Sequence, residues 1–280
     1  IALQNIKTLI KKGIKILLTP VGSYTFKNYL PIIEEKDILT LFPEATSPEF
    51  RDSKYKNVFH LFASSKEEGK ALAKYVIEST GVRKIAIFYQ EDPYSESSLE
   101  GAIEILKEND LSEGQDWIAA SHLPNTIEIN SALEKIKAFD PAGIILLSVS
   151  KSAEIFLDKL GPKFLFDKKL IVGSGAAGGT FEKYIKNRNL KIAKIQLAPD
   201  PLTSNLEIAQ EYRKAAEQAK PRLSDSIIAH PSTLEGYLSA GLFIYILNKI
   251  DGEITNEKIV KQIKNINDYN FKGLKLDFNP

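Results

Sequence analysis

The sequence predicts an α/β fold built on mostly parallel sheets with helices on both faces. Three observations carry the prediction. Short apolar runs alternate with amphipathic segments along the whole chain, as successive βαβ units do. The runs are apolar almost without interruption, which fits strands buried on both faces. The 280 residues accommodate two domains or one large α/β domain.

The elements follow in chain order. Residues 1–12 have a helical pattern, and the apolar run 14–18 reads as a buried strand. Gly22 and Ser23 turn the chain into a helix over 24–35. Residues 38–42 form the next strand, which ends in Pro43-Glu44-Ala45-Thr46-Ser47-Pro48. Further strands are expected at 58–62, 84–89, 117–121, 143–147, 170–173, 192–197 and 274–278. Amphipathic helices are expected at 67–78, 99–109, 129–139, 153–160, 206–218, 233–250 and 256–266, where apolar residues recur at helical spacing. Right-handed crossovers between the parallel strands follow from chirality.

Composition narrows the function. Apolar content of 43% and charged content of 26% are those of an ordinary globular protein. A net charge of +1, with both signs interspersed, argues against nucleic acid as a partner. The chain has no cysteine, which excludes disulfides, thiolate catalysis and cysteine metal sites. His60, His122 and His230 lack metal-ligand spacing and read as structural or exposed; no Ser–His–acid set is legible. No cofactor is implied. No apolar run is long enough to span a membrane. The chain has no methionine, even at position 1, and it starts within a helical pattern. The expectation is a protein that extends beyond both ends.

Ser23 and Thr46 follow the C-terminal ends of consecutive strands, where open α/β sheets bind ligands. Ser23 also precedes a helix, where free N–H groups and the helix dipole favour an anion such as a carboxylate. The alternative for Ser23 is an N-cap, and for Thr46-Ser47-Pro48 plain turn chemistry. A second candidate is Gly173-Ser174-Gly175-Ala176-Ala177-Gly178, which fits G-x-G-x-x-G after an apolar strand, with Asp200 near the distance of a ribose-binding acid. That fingerprint supports a nucleotide-dependent enzyme, although a lone match has a real false-positive risk. Tyr24 and Tyr94 offer an apolar body and a polar tip to a ligand, or pack a helix start.

The loops Val21-Gly22-Ser23-Tyr24-Thr25 and Phe42-Pro43-Glu44-Ala45-Thr46-Ser47-Pro48 resemble the carboxylate-holding loops of the type I periplasmic binding proteins, specifically the branched-chain amino-acid (leucine/isoleucine/valine) binding family. The likeness continues through residues 82–94, where Tyr94 falls on a ligand-contacting tyrosine. It also includes 139–147, with Ser148, Val149 and Ser150 at the pocket mouth, and the late strand entry at Tyr269, Phe271 and Gly273. The resemblance implies two doubly wound, Rossmann-like lobes with parallel sheets, joined by a multi-strand hinge. One lobe would be 1–63 plus 198–280, the other 64–197. It implies a non-enzymatic, periplasmic or extracellular solute-binding protein that closes on an amino acid or other small carboxylate. Delivery would be to ABC transporter membrane subunits; a ligand-sensing ectodomain is the variant, and a lipid anchor on a preceding segment a further expectation. The implied ligand residues are Ser23, Tyr24, Glu44 (through its backbone), Ala45, Thr46, Tyr94, Ser148, Ser150 and Gly175. Phe42 and Glu44 depart from the family's serine and small residue. Amino-acid binders also carry an acid near Gly175, and here there is none; Glu44, Glu91 and Asp92 are the candidates to replace it.

Overall fold

The computed structural model describes residues 1–124, 126–220 and 222–278. Two units are formed, one from Ile1–Ala63 together with the chain from Leu197 onward, the other from Ser64–Gln196.

The first unit begins with α1 (Ala2–Lys11), β1 (Ile16–Leu18), α2 (Ser23–Glu35), β2 (Leu39–Leu41) and β3 (Val58–Phe59). The three strands form a parallel sheet in the order β1-β2-β3, with Ile16 opposite Leu39 and Thr40 opposite Val58. The second unit contains α3 (Ser65–Lys74), β4 (Ile85–Gln90), α4 (Pro93–Glu108), β5 (Trp117–His122), α5 (Asn130–Phe139), β6 (Gly143–Leu147), α6 (Ser150–Leu160), α7 (Pro162–Leu165), β7 (Lys169–Val172), α8 (Gly179–Asn187) and β8 (Ile192–Lys194). The chain then adds α9 (Glu207–Ala219), α10 (Asp225–Ile228), α11 (Pro231–Leu247), α12 (Asn256–Lys264), β9 (Tyr269–Phe271) and β10 (Leu274–Leu276) to the first unit.

In the first unit, β2 is fully buried because both of its faces are covered. Phe26, Leu30, Ile33, Ile38 and Phe50 form one apolar cluster, with the Phe26 and Phe50 rings edge to face at 5.1 Å. Leu39, Leu41 and Phe42 belong to another, with Ile208, Tyr212, Leu238 and Leu242. β9 and β10 depart from the parallel pattern. They form an antiparallel hairpin over Lys272 and Gly273, both at positive φ (52° and 90°), the backbone of a tight hairpin turn. The expected strand at 274–278 is therefore the second arm of a hairpin whose first arm starts at Tyr269.

His60 lies beside β3. Its Nε2 is 3.0 Å from the Phe50 carbonyl and its Nδ1 is buried without a partner. Burial and the nearby Arg51 guanidinium push the imidazole down from 6.5 to about 4. Below pH 6.5 the unfolded chain binds this proton and the folded chain does not. The stability contribution is whole above pH 6.5 and is lost as pH falls toward about 4. At about 1.4 kcal/mol per pH unit, the loss amounts to about 3 kcal/mol. Thermal unfolding across this range checks it: His60→Gln, which keeps a donor for Phe50, is expected to flatten the dependence.

The second unit is a five-stranded parallel sheet in the order β5-β4-β6-β7-β8. From β4 the chain first adds β5 on one side and then β6 on the other. The topological switch point therefore lies between the ends of β4 and β6. Residues alternate between faces. Phe88, Leu146 and Val172 pack with Phe156 and Phe181, while Ile85, Ile87, Ile145 and Leu147 pack with Leu72, Val76 and Leu106. On the latter face α3 and α4 touch backbone to backbone. A Cβ on Gly69 would stand 1.8 Å from the Ser98 carbonyl oxygen, and one on Gly101 1.9 Å from that of Lys66. The Ser65 and Ser97 hydroxyls meet at 2.5 Å in the same seam. Both helices start earlier than expected because Ser64 Oγ caps α3 and Asp92 Oδ1 caps α4.

Candidate functional site

In the first unit β1 and β2 are parallel neighbours, so the loops after them leave from the same edge of the sheet. Main-chain bonds tie the loops together: Thr19 N to Leu41 O at 2.8 Å, Glu44 N to Pro20 O at 2.9 Å and Gly22 N to Glu44 O at 3.2 Å. Each loop opens on a residue in the left-handed region just before a proline, Thr19 (φ 50°) before Pro20 and Phe42 (φ 56°) before Pro43. For a β-branched threonine and a bulky phenylalanine this is an outlier conformation. Gly22, at φ 97°, completes the first turn.

Ser23 is the first residue of the 13-residue α2. It is not the N-cap; Gly22 is, and it supplies no capping side chain. Ser23 is 4% exposed and its Oγ has no partner. A buried hydroxyl left unpaired is costly, about 1–3 kcal/mol, and this one stands in the helix turn whose N–H groups favour an anion. Ala45 and Thr46, on the adjoining loop, are buried, whereas Tyr24 is 48% exposed. The Glu44 side chain hydrogen-bonds to Glu235 of α11, itself buried. Burial raises the Glu44 pKa, opposed by the bond to Glu235. Two carboxyls can share such a bond only if one carries a proton.

In the second unit, Tyr94, Ser148 and Ser150 follow the two strands of the switch point, and Gly175 follows β7. Tyr94 Oη donates to Glu68 Oε1 at 2.8 Å and accepts from Gly175 N at 3.0 Å. Glu68, on α3 and 3% exposed, also accepts from Ser174 N at 2.5 Å and from Ser174 Oγ at 2.8 Å. Burial pushes the Glu68 carboxyl up, and the bonds from Ser174 and Tyr94 pull it back. Burial and the Glu68 charge hold the Tyr94 phenol well above its ordinary range. Ser150 Oγ donates to the Ala176 carbonyl at 3.3 Å.

His122, at the end of β5, is 2.8 Å from Ser148 Oγ through Nε2, and its Nδ1 is 2.9 Å from the Leu123 carbonyl. That carbonyl can only accept, which assigns the ring proton to Nδ1 and makes Nε2 the acceptor of the Ser148 proton. Burial lowers the His122 pKa, against the Leu123 bond and the charges of Asp92 and Glu91. The ring stacks on Phe88 at 4.9 Å, and Phe88 on Phe156 at 4.0 Å. His122 and Ser148 thus form a buried pair that the sequence reading, which found no Ser–His–acid set, did not identify. Both end strands that flank β4, which the sequence hinted at only through the strand assignments. Glu68 was missed because it sits beside Glu67 in a polar helix turn. Its signal was its place in the buried series Glu68, Leu72, Val76, spaced by four.

The glycine fingerprint has a structural use. A Cβ at Gly173 would lie 2.7 Å from both Glu68 Oε1 and Tyr94 Oη, and one at Gly175 would lie 2.7 Å from Tyr94 Cε1. The space that these glycines open is filled by the chain's own Tyr94 and Glu68, where a dinucleotide site would admit pyrophosphate. Asp200 Oδ1 accepts from Leu202 N, Thr203 N and Thr203 Oγ1, which makes it a turn-forming acid. Of the proposed ammonium partners, Asp92 caps α4 and accepts from Gln90, Glu44 is bonded to Glu235, and Glu91 is exposed. Among the described residues no group of three or more His, Cys, Asp or Glu could hold a metal.

Residues 1–278 match the model of a family described as periplasmic binding protein. The chain is 30% identical to the Leu/Ile/Val/Thr-binding protein of Salmonella typhimurium over 88 residues, 31% of this chain and 24% of that protein. The match therefore spans about a quarter of that relative's length. A longer match, 21% identical over 248 residues, covers 79% of this chain and 66% of the leucine-, isoleucine-, valine-, threonine-, and alanine-binding protein of Pseudomonas aeruginosa. Among solved structures, a possible leucine/isoleucine/valine-binding protein from Rhodopirellula baltica SH 1 superposes with a TM-score of 0.85 at 18% identity, covering 99% of this chain and 74% of that one. At that identity the likeness is one of fold.

Proposed function

The chain belongs to the periplasmic binding protein family, and from that premise we propose that it is a periplasmic, non-enzymatic solute-binding protein for a small polar ligand with a carboxylate, an amino acid or related organic acid. Its acceptor would be the membrane subunits of an ABC transporter. One observation carries the ligand class: the buried, unpartnered Ser23 Oγ in the first turn of α2. A carboxylate there would meet that hydroxyl and the free helix N–H groups. The Thr46 hydroxyl and the Ala45 and Glu44 backbone are the proposed contacts on the adjoining loop, with Tyr24 at the exposed rim. On the second unit the proposed contacts are Tyr94, Ser148, Ser150 and Gly175.

The test is calorimetric titration with a panel of amino acids and organic acids. Tryptophan fluorescence is the weaker probe, because Trp117 is buried at the start of β5, the strand that ends in His122. Thr46→Ala is expected to weaken binding by about 1–3 kcal/mol, the range for a hydrogen bond to a charged group. Ser23→Ala is expected to weaken binding while leaving the ligand-free protein as stable or up to about 1 kcal/mol more so, since an unpaired buried hydroxyl is removed. Lowered stability with unchanged affinity in both variants would make these residues turn-formers and overturn the proposal.

A further inference from the structure

We propose that the Glu44–Glu235 carboxyl pair is a proton site coupled to the carboxylate grip at Ser23 and Thr46, so that the first unit binds a ligand anion together with a proton. The coupling deepens the solute-binding reading and rests on it.

Glu44 is placed by the loops that form the grip. Its N–H donates to the Pro20 carbonyl, and its carbonyl accepts from the N–H of Gly22, the N-cap of α2. Ser23, with its unpartnered hydroxyl, follows Gly22, and Thr46 stands two residues beyond Glu44. From this junction the Glu44 side chain meets Glu235 of α11, which is 4% exposed. An ionised carboxylate only accepts, so a hydrogen bond between two carboxyls holds a proton of its own. Loss of that proton would set two like charges together in a partly buried place, which burial and repulsion both oppose. The pair therefore titrates as one unit in two steps.

No other group among the described residues offsets the Glu44 charge. Residues 19–22, on the bonded loop, carry no titratable side chain. In the turn Pro48–Arg51, Glu49 is paired with Lys27 of α2 at 3.2 Å, and Arg51 donates to the Phe62 carbonyl and lies near His60. α11 brings Tyr237 and, at its N-cap, His230, whose Nδ1 accepts from Ser232 N. Of these groups and the remaining acids of α2, Glu34 and Glu35, none acts on the Glu44 carboxyl; Glu235 alone does.

A ligand carboxylate in the first turn of α2 brings a further negative charge to the same junction. Like charges repel most strongly where water is excluded. The ligand therefore favours the pair's protonated state, and linkage obliges binding to draw in a proton wherever the free protein has lost it. The sign follows. Below the pair's upper step the proton is already present, and affinity does not vary with pH on its account. Above that step, affinity falls by about tenfold per pH unit at most, until the upper step of the complex is passed.

Two measurements on the intact protein test the coupling. Carbon-13 NMR of the glutamate carboxyls, without ligand, is expected to show Glu44 and Glu235 sharing a two-step titration whose upper step lies above the ordinary glutamate value. Independent titrations of both at about 4.3 overturn the inference whatever binds. Calorimetry with leucine, alanine, phenylalanine and their 2-hydroxy acids, in two buffers of different ionisation enthalpy, then counts protons on either side of that upper step. Uptake is expected to be absent below it and to approach about one proton per ligand above it, with about a tenfold loss of affinity across the step. Glu44→Gln, whose amide still donates to Glu235, and Glu235→Gln are each expected to abolish the uptake. Both should match the native affinity below the step and exceed it about tenfold above. No uptake in a native protein that binds, uptake that persists in both variants, or variants weakened equally at every pH overturn the inference and leave solute binding intact. If no member of the panel binds, the solute-binding reading falls and the coupling with it.

Discussion

Gly101→Ala is expected to destabilise the second unit by about 2 kcal/mol or more, against the usual benefit of alanine in a helix. In an open helix interior this exchange stabilises by about 1 kcal/mol. Here the new Cβ would lie 1.9 Å from the Lys66 carbonyl oxygen, 2.9 Å from its carbon and 3.1 Å from Lys70 N. All three atoms are backbone, so no side chain can swing away. α3 and α4 must separate, which loosens the Ser65–Ser97 contact and the packing of Leu72 and Leu106 over the sheet. Overpacking of this kind costs about 1–3 kcal/mol and at times more. Gly236 is the control. It lies in α11 with nothing within 4 Å of its would-be Cβ, and Gly236→Ala is expected to be neutral or mildly stabilising. Denaturant unfolding of the two variants decides the matter; equal effects would mean that the close helix seam does not govern stability.

Phe156→Ala is expected to cost about 3–5 kcal/mol, the range for emptying a buried aromatic position. Phe156 is 0% exposed and lies nearly parallel to Phe88, at 7°. The second consequence is electrostatic. The column Phe156–Phe88–His122 lies in the apolar layer whose burial lowers the His122 pKa. Opening it to water should let that pKa rise toward the ordinary histidine value. Denaturation gives the first effect, and an NMR titration of the imidazole gives the second. Lost stability with an unmoved His122 titration would show that the column supports packing alone.

The sheet of the second unit was legible because its strands are buried on both faces. Residues 143–147 were read without error, and the strands at 85–90 and 117–122 to within a residue. The shorter strands were overextended. Residues 58–62 keep only Val58–Phe59, and 192–197 only Ile192–Lys194, because apolar residues run on past the last paired position into loops that pack on a core. β9 was absent from the strands read by pattern, since Tyr269-Asn270-Phe271 is too short to show a period, and only the family resemblance marked a strand entry there. At the candidate site, Ser23 and Thr46 could be found because following a strand end is a property of sequence order. The Glu68–Ser174 and His122–Ser148 pairs could not. Their members are 106 and 26 residues apart, and only the sheet order and the packing of α3 on the sheet bring them together.

The two left-handed residues before Pro20 and Pro43 bear on how this protein can change over time. Each holds a conformation that costs of order 1–3 kcal/mol, and main-chain bonds link the two loops. A single substitution at Thr19 or Phe42 alters the strain in one loop, and the other is pulled with it through Glu44 and Gly22. Proline next door leaves few backbone alternatives to drift into. The pair is therefore expected to change jointly or not at all. Under the proposed function, new ligand preferences should then arise first at side chains that neither bend the backbone nor join the loops, such as the exposed Tyr24. A library randomised at Tyr24 should yield far more folded variants with altered preference than one randomised at Phe42.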